Sequence, residues 1–132
     1  MTVPRGACLR AWLAAVGWMA LIFWLSAQPT LPDLGPDLTD IQDIVGHFGA
    51  YFGLAFWLIR ALRRTPAVRH PRLWTFLLAL AYALSDELHQ SFVPNRHADP
   101  FDILVDLAGV LVFLIFDFGF WRVWRAGGDE ER

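Results

Sequence analysis

The stretch LWTFLLALAYALSDELHQSFVPNR, residues 73–96, begins as an apolar run and ends in a string holding Asp86, Glu87, His89, Gln90 and Arg96. An apolar run of about 20 residues is the length that crosses a hydrocarbon core of ~30 Å. Inside that core an ionisable side chain is costly and is seldom placed without a use. The stretch therefore predicts a membrane helix with a polar site at one end.

The rest of the chain repeats the pattern. Apolar segments run over about 9–27, 41–62, 73–93 and 101–121. Pro29, Pro32 and Pro36 end the first and keep the chain beyond it extended. Pro71 precedes the third segment, Pro94 closes it and Pro100 opens the fourth. With 56% hydrophobic residues and a mean hydropathy of +0.40, the 132-residue chain has too few polar residues to cover itself in water. A net charge of −2 argues against a nucleic-acid partner, which needs a basic face. Cys8 is the sole cysteine, so no internal disulfide can form. Leu25 is a poor fit to the small-x-small pattern of a cleaved signal peptide, and the first run is longer than a typical signal h-region, so it is read as a retained helix.

The expected fold class is all-α: a polytopic membrane protein, an antiparallel bundle of four transmembrane helices in one domain over residues 1–132, with both termini cytoplasmic. Arginine placement sets the orientation. Arg5 and Arg10 flank the N-terminus, and Arg60, Arg63, Arg64, Arg69 and Arg72 crowd the link between the second and third segments. Arg122, Arg125 and Arg132 follow the fourth segment. The link between the first and second segments has no arginine and carries Asp33, Asp37 and Asp40, so it is expected outside together with the turn at 95–99. Trp12, Trp57, Trp74, Trp121 and Trp124 fall near the cytoplasmic ends, where interfacial anchors belong.

With that topology the polar residues converge at the outer end: Ser26 and Gln28, Asp43 and His47, the string from Asp86 to Gln90, Arg96, and Asp102 and Asp106. Asp40 and Asp99 read as N-caps, with Pro100 as a first helical residue. Asp43 and Asp102 sit in first turns, where the helix dipole favours an acid, so capping competes with a site role for both. His47 and Asp106 lie four residues further in, ~6 Å deeper, where no cap reaches. The i, i+4 spacing stacks Asp43 on His47 with Tyr51 below, and Asp102 on Asp106 with Gly109 next along the stripe. Gly109 reads equally as a residue that allows close helix packing. Asp86 and Glu87 lie near a helix C-terminus, where the dipole disfavours negative charge. Glu87 and Gln90 are expected to face inward, and Asp86 and His89 to lie at an edge, toward a partner or the headgroups. Asp117 is expected to pair with a cytoplasmic arginine.

Together these residues resemble the VanZ-like family of small bacterial membrane proteins. The resemblance rests on Ser26-Ala27-Gln28-Pro29 at the end of the first helix and on Asp43 and His47 opening the second. It rests further on the string Glu87, Gln90, Phe92, Pro94 and Arg96, and on Asp102, Asp106 and Gly109. Relatives often carry Lys just after the Asp of the second helix, where this chain has Ile44, and Asn where it has Asp106. If that Lys supplies an essential charge, its role is lost here or has moved to Arg96. The resemblance implies an integral protein of the bacterial cytoplasmic membrane, in a family named for a link to glycopeptide (teicoplanin) resistance.

Three functions fit this pattern. The first is a site that binds or modifies an envelope lipid or a lipid-linked cell-wall precursor. Clustered carboxylates in a low-dielectric setting beside an imidazole suit acid–base work. Glu87 and Asp106 would be the acid/base groups and His47 the proton carrier. Arg96 would clamp an anion, and Gln90, Asp43 and Asp102 would help hold the substrate. The second is a divalent-metal site, drawn from Asp86-x-x-His89 with Asp43, His47, Asp102 and Asp106, where oxygen-rich ligation suits Mg²⁺ or Mn²⁺ better than zinc. No cofactor is otherwise expected. The third is a non-enzymatic scaffold, or a transporter or proton-relay subunit. Membrane lipids are the expected surroundings, with room for a second copy or another membrane partner.

Overall fold

The computed structural model describes residues 4–29 and 39–129, with side chains for all of these except 39–40 and 121–129. The described chain is all-helical: α1 Arg5–Ser26, α2 Thr39–Arg63, α3 Pro71–Gln90 and α4 Pro100–Asp129. The Asp40 cap, the acidic loop beyond Pro29, the Trp121 and Trp124 anchors and the last arginines lie outside the described residues or side chains.

Proline and capping chemistry set the boundaries. Pro71 and Pro100 each take the first helical position, where a missing N–H costs nothing and the ring's fixed φ suits the helix. Asp99 caps α4: its Oδ1 accepts the Phe101 N–H at 2.8 Å. α3 stops at Gln90, three residues short of the expected Val93. The residue before Pro94 is biased away from helix, and the chain closes instead in a tight turn. There the Phe92 N–H donates to His89 O at 3.0 Å and the Val93 N–H to Gln90 O at 3.0 Å. Asn95 then takes φ 64, a conformation Asn tolerates better than most residues, and re-aims the chain toward α4.

α2 is the central element and packs against the other three, most extensively against α4. α3 packs beside α2 and α4 and touches α1 lightly. Among the described residues α1 and α4 do not meet. The core follows one stripe of α2, Tyr51, Leu54, Ala55, Leu58 and Leu62, against Ala15 and Ile22 of α1, Ala79 and Ala83 of α3 and Val110 of α4. Small residues mark the closest crossings, as expected where lipid removes most of the hydrophobic drive for helices to associate. A Cβ on Gly109 would collide with the Phe48 backbone carbonyl, so this glycine permits the α2–α4 approach.

The outward faces are apolar. Leu9, Leu13, Phe116 and Phe120 are among many large hydrophobic residues left exposed, far more than a water-facing surface carries. α1, α2 from Ile41 and α4 up to Phe120 are each long and apolar enough to cross a membrane. α3 lies alongside them but is less clearly transmembrane: Arg72 at one end and the string from Asp86 to Gln90 at the other dilute its hydropathy. At the Arg72 end Asp117 finds the arginine partners expected, with Arg63 Nη2 at 2.7 Å and Arg72 Nε at 3.0 Å.

Candidate functional site

The opposite end of the bundle gathers the α1 C-terminus, the first turns of α2 and α4 and the last turns of α3. His47, from α2, stands between both acids of the α4 stripe. Its Nδ1 lies 3.0 Å from Asp106 Oδ1 and its Nε2 lies 3.7 Å from Asp102 Oδ2. A carboxylate can only accept, so the Asp106 contact places the ring proton on Nδ1 and turns Nε2 toward Asp102. Asp106 is fully buried and meets the site through His47, and its second oxygen has no hydrogen-bond partner.

Glu87 reaches across from α3. Its Oε2 accepts the Asp99 N–H at 2.8 Å, which ties the end of α3 to the start of α4. Its Oε1 is buried and unpartnered. A carboxylate oxygen of Glu87, one of Asp102 and a ring nitrogen of His47 all lie within 4.8 Å of one another. The i, i+4 spacing of Asp102 and Asp106 on α4 sets both acids beside His47 of α2.

Asp86 overturns the edge placement expected for it. It is 4% exposed, and its Oδ2 accepts the Ser26 hydroxyl at 2.8 Å. The buried stripe of α3 runs Thr75, Ala79, Ala83 and then Asp86, Glu87 and Gln90. With α1 on one side of that stripe and α4 on the other, neighbours cover a wider arc than one inward face. His89 likewise turns toward α1, where it stacks on Phe23 with ring centroids 4.2 Å apart. Among the described residues, the possible ligand atoms that come within 4.8 Å of one another belong to His47, Glu87 and Asp102.

Two cavities open beside these groups. The first, of about 300 Å³, has aliphatic walls from Ile22, Leu25 and Ala50 and holds Ser26, Tyr51 and Asp86. The second, of about 520 Å³, lies toward the 95–99 turn and carries Asn95, His97, Asp99 and Asp102. Asp43, His47, Gln90 and Arg96 line both and so form the wall between them. Arg96 is held by its Nε, which donates to the Gln28 carbonyl at 3.2 Å. Ile44 and Arg96 both line the second cavity.

Among the described residues, five of the six buried side-chain atoms without a partner belong to this end: Tyr51 Oη, Asp86 Oδ1, Glu87 Oε1, His89 Nδ1 and Asp106 Oδ2. Native interiors pair nearly all such atoms with protein groups or ordered water. Sequence reasoning put Tyr51 on the Asp43–His47 stripe without a site role and put Asp86 at an edge, whereas both line the first cavity. The signal was the i+4 run of small residues Thr75, Ala79 and Ala83, which points the next turn of α3 into the bundle.

The VanZ/LLP1 family model matches residues 11–121, and the chain belongs to that family. Comparison with curated proteins and with solved structures finds no match. Membership agrees with the membrane-spanning helices, and the link to glycopeptide resistance comes with it as a family association.

Proposed function

We propose that this VanZ-family protein sits in the bacterial cytoplasmic membrane as a multi-pass protein and holds an envelope amphiphile. The arginines from Arg60 to Arg72 mark the end opposite the site as cytoplasmic, so the site faces outward. The observation that carries the proposal is the pair of cavities with unlike walls, joined at Asp43, His47, Gln90 and Arg96. An apolar chain fits beside Ile22, Leu25 and Ala50, and a headgroup fits in the second cavity. Arg96 would fork a phosphate or carboxylate there. Gln90 and the carboxylates of Asp43 and Asp102 would take hydroxyl or amine donors. A lipid-linked cell-wall precursor, with phosphate and sugar in one headgroup, has that mixed chemistry.

In this reading His47 is the proton carrier. Asp106 positions its ring, as the acid of an Asp–His pair does, and Nε2 faces the headgroup space. Glu87 is the second acid/base group, with Oε1 uncommitted. A proton path through the whole protein has less support: between Asp106 and Asp117 α4 carries only apolar residues and Gly109, and Asp117 is already paired with Arg63 and Arg72.

The test is a thermal-shift titration of detergent-purified protein with a long-chain polyprenyl phosphate, the uncharged alcohol of the same chain and a short-chain phosphate. Arg96→Gln is expected to weaken binding of the long-chain phosphate by about tenfold, the effect of a lost charge-assisted contact of roughly 1.4 kcal/mol. Gly46 lines the first cavity with open space where a side chain would go, so Gly46→Leu should fill it. That variant should lose the preference for the long chain and bind the short one as before. Equal binding by the wild type and both variants would overturn the proposal.

A further inference from the structure

The carboxylates around His47 are short of positive charge. Among the described residues lining the two cavities, Arg96 is the one fixed cation, against Asp43, Asp86, Asp99 and Asp102. Glu87 and Asp106 stand immediately behind them. In a low-dielectric bundle such an excess is unfavourable unless protons or a cation neutralise it.

His47 shows where a cation would sit. His47 Nδ1 lies 3.0 Å from Asp106 Oδ1 and its Nε2 lies 3.7 Å from Asp102 Oδ2. With a neutral ring whose Nδ1–H goes to Asp106, Nε2 offers a lone pair on the side of Asp102, where a positive ion would take both as ligands. The Asp106–His47 contact is also the usual companion of such ligation, because a metal-bound imidazole gives its other N–H to a carboxylate that fixes the ring. An independent sign comes from Glu87. This side chain is 5% exposed, with Oε2 tied to the Asp99 N–H and Oε1 buried without a partner.

We propose that His47, Glu87 and Asp102 bind a divalent transition-metal cation, with Asp106 orienting His47. The three donor atoms lie within 4.8 Å of one another. Ligands at ~2.1 Å from a metal stand about 3.4 Å apart in a tetrahedral shell, so closure requires roughly an ångström of movement. Asp102, half-buried in the first turn of α4, can supply it. The second cavity provides the path in and leaves room for water or a headgroup oxygen as a further ligand. An imidazole among the donors favours Mn²⁺ or Zn²⁺ over Mg²⁺ or Ca²⁺, which prefer all-oxygen shells. The site shares His47, Glu87 and Asp102 with the amphiphile reading but does not rest on it; with a cation bound, these three would act as ligands and the ion would face a phosphate beside Arg96.

The experiment strips the full chain in detergent with a chelator and titrates Mn²⁺, followed by electron paramagnetic resonance, and Zn²⁺, followed by elemental analysis after desalting. The folded wild type should take up one equivalent of either ion. Glu87→Gln keeps an oxygen for the Asp99 N–H, and it and Asp102→Asn should each weaken binding by about tenfold or more. Asp106→Ala, which removes the acceptor for the His47 Nδ1–H, should weaken it about 10–100-fold through loss of ring orientation. His89→Ala should bind as the wild type does. Circular dichroism shows which variants remain folded. A folded wild type that leaves Mn²⁺ with the spectrum of the free ion and retains no Zn²⁺ would overturn the proposal. So would Glu87→Gln and Asp102→Asn variants that bind like the wild type. The titration contains no amphiphile, so its failure leaves the lipid titration standing, and the reverse holds as well.

Discussion

Asp86 Oδ2 accepts from the Ser26 hydroxyl at 2.8 Å, while Asp86 Oδ1 has no partner. Removing the hydroxyl would leave both oxygens of a buried carboxyl without a donor. Ser26→Ala is therefore expected to destabilise the bundle by ~1–3 kcal/mol, the cost of stranding a buried acceptor. In an Asp86→Asn background the same change should cost less, with a coupling energy of about 0.5–3 kcal/mol. Reversible SDS unfolding of the single and double variants checks this, and additive costs would show that the two residues do not support each other. At this scale the sequence was partly legible. His47 and Asp106 stood out because they lie deeper than any cap reaches, and the structure brings them to 3.0 Å. Asp86 was expected at an edge, because its buried position depends on Ser26, sixty residues away in the chain.

Helix boundaries were the most legible feature at the scale of elements, because proline and capping act locally. Pro71, Asp99 and Pro100 stand where such residues open helices. The end of α3 was less legible. Pro94 disfavours helix at Val93, but the helix closes three residues earlier, in a turn whose Arg96 reaches the Gln28 carbonyl just beyond α1. The α2–α4 crossing gives a prediction of its own. Gly109→Ala should cost about 1–3 kcal/mol, since the added methyl meets the Phe48 backbone and not a side chain that could rotate away. Gly46→Ala, on the same pair of helices but facing open space, should be neutral or stabilising by up to ~1 kcal/mol through helix propensity alone. The contrast separates the packing role of Gly109 from the general cost of glycine in a helix, and the same unfolding assay reads both.

For the whole molecule the open question is which way the bundle faces. Ala98 in the 95–99 turn and Ala67 in the link after α2 are both exposed and lie at opposite ends. In a Cys8→Ser background, Ala98→Cys should react with a membrane-impermeant thiol reagent added to intact cells. Ala67→Cys should react only after the membrane is opened. The opposite pattern would reverse the orientation and place the site at the cytoplasmic face. The positive charge of the Arg60–Arg72 region makes that reversal unfavourable.

By itself the sequence determined the helical class, the apolar segments, the places where helices begin and the family. These follow from local chemistry: the length of an apolar run, the fixed φ of proline, the spacing of charges along one helix. Only the tertiary structure decided which polar residues share a space. It set His47 between Asp102 and Asp106, drew Asp86 inward against Ser26, stacked His89 on Phe23 and placed Arg96 between two cavities. Those relations depend on how far α3 is turned between α1 and α4. Side chains from several helices fix that rotation jointly, and no single stretch of sequence contains it.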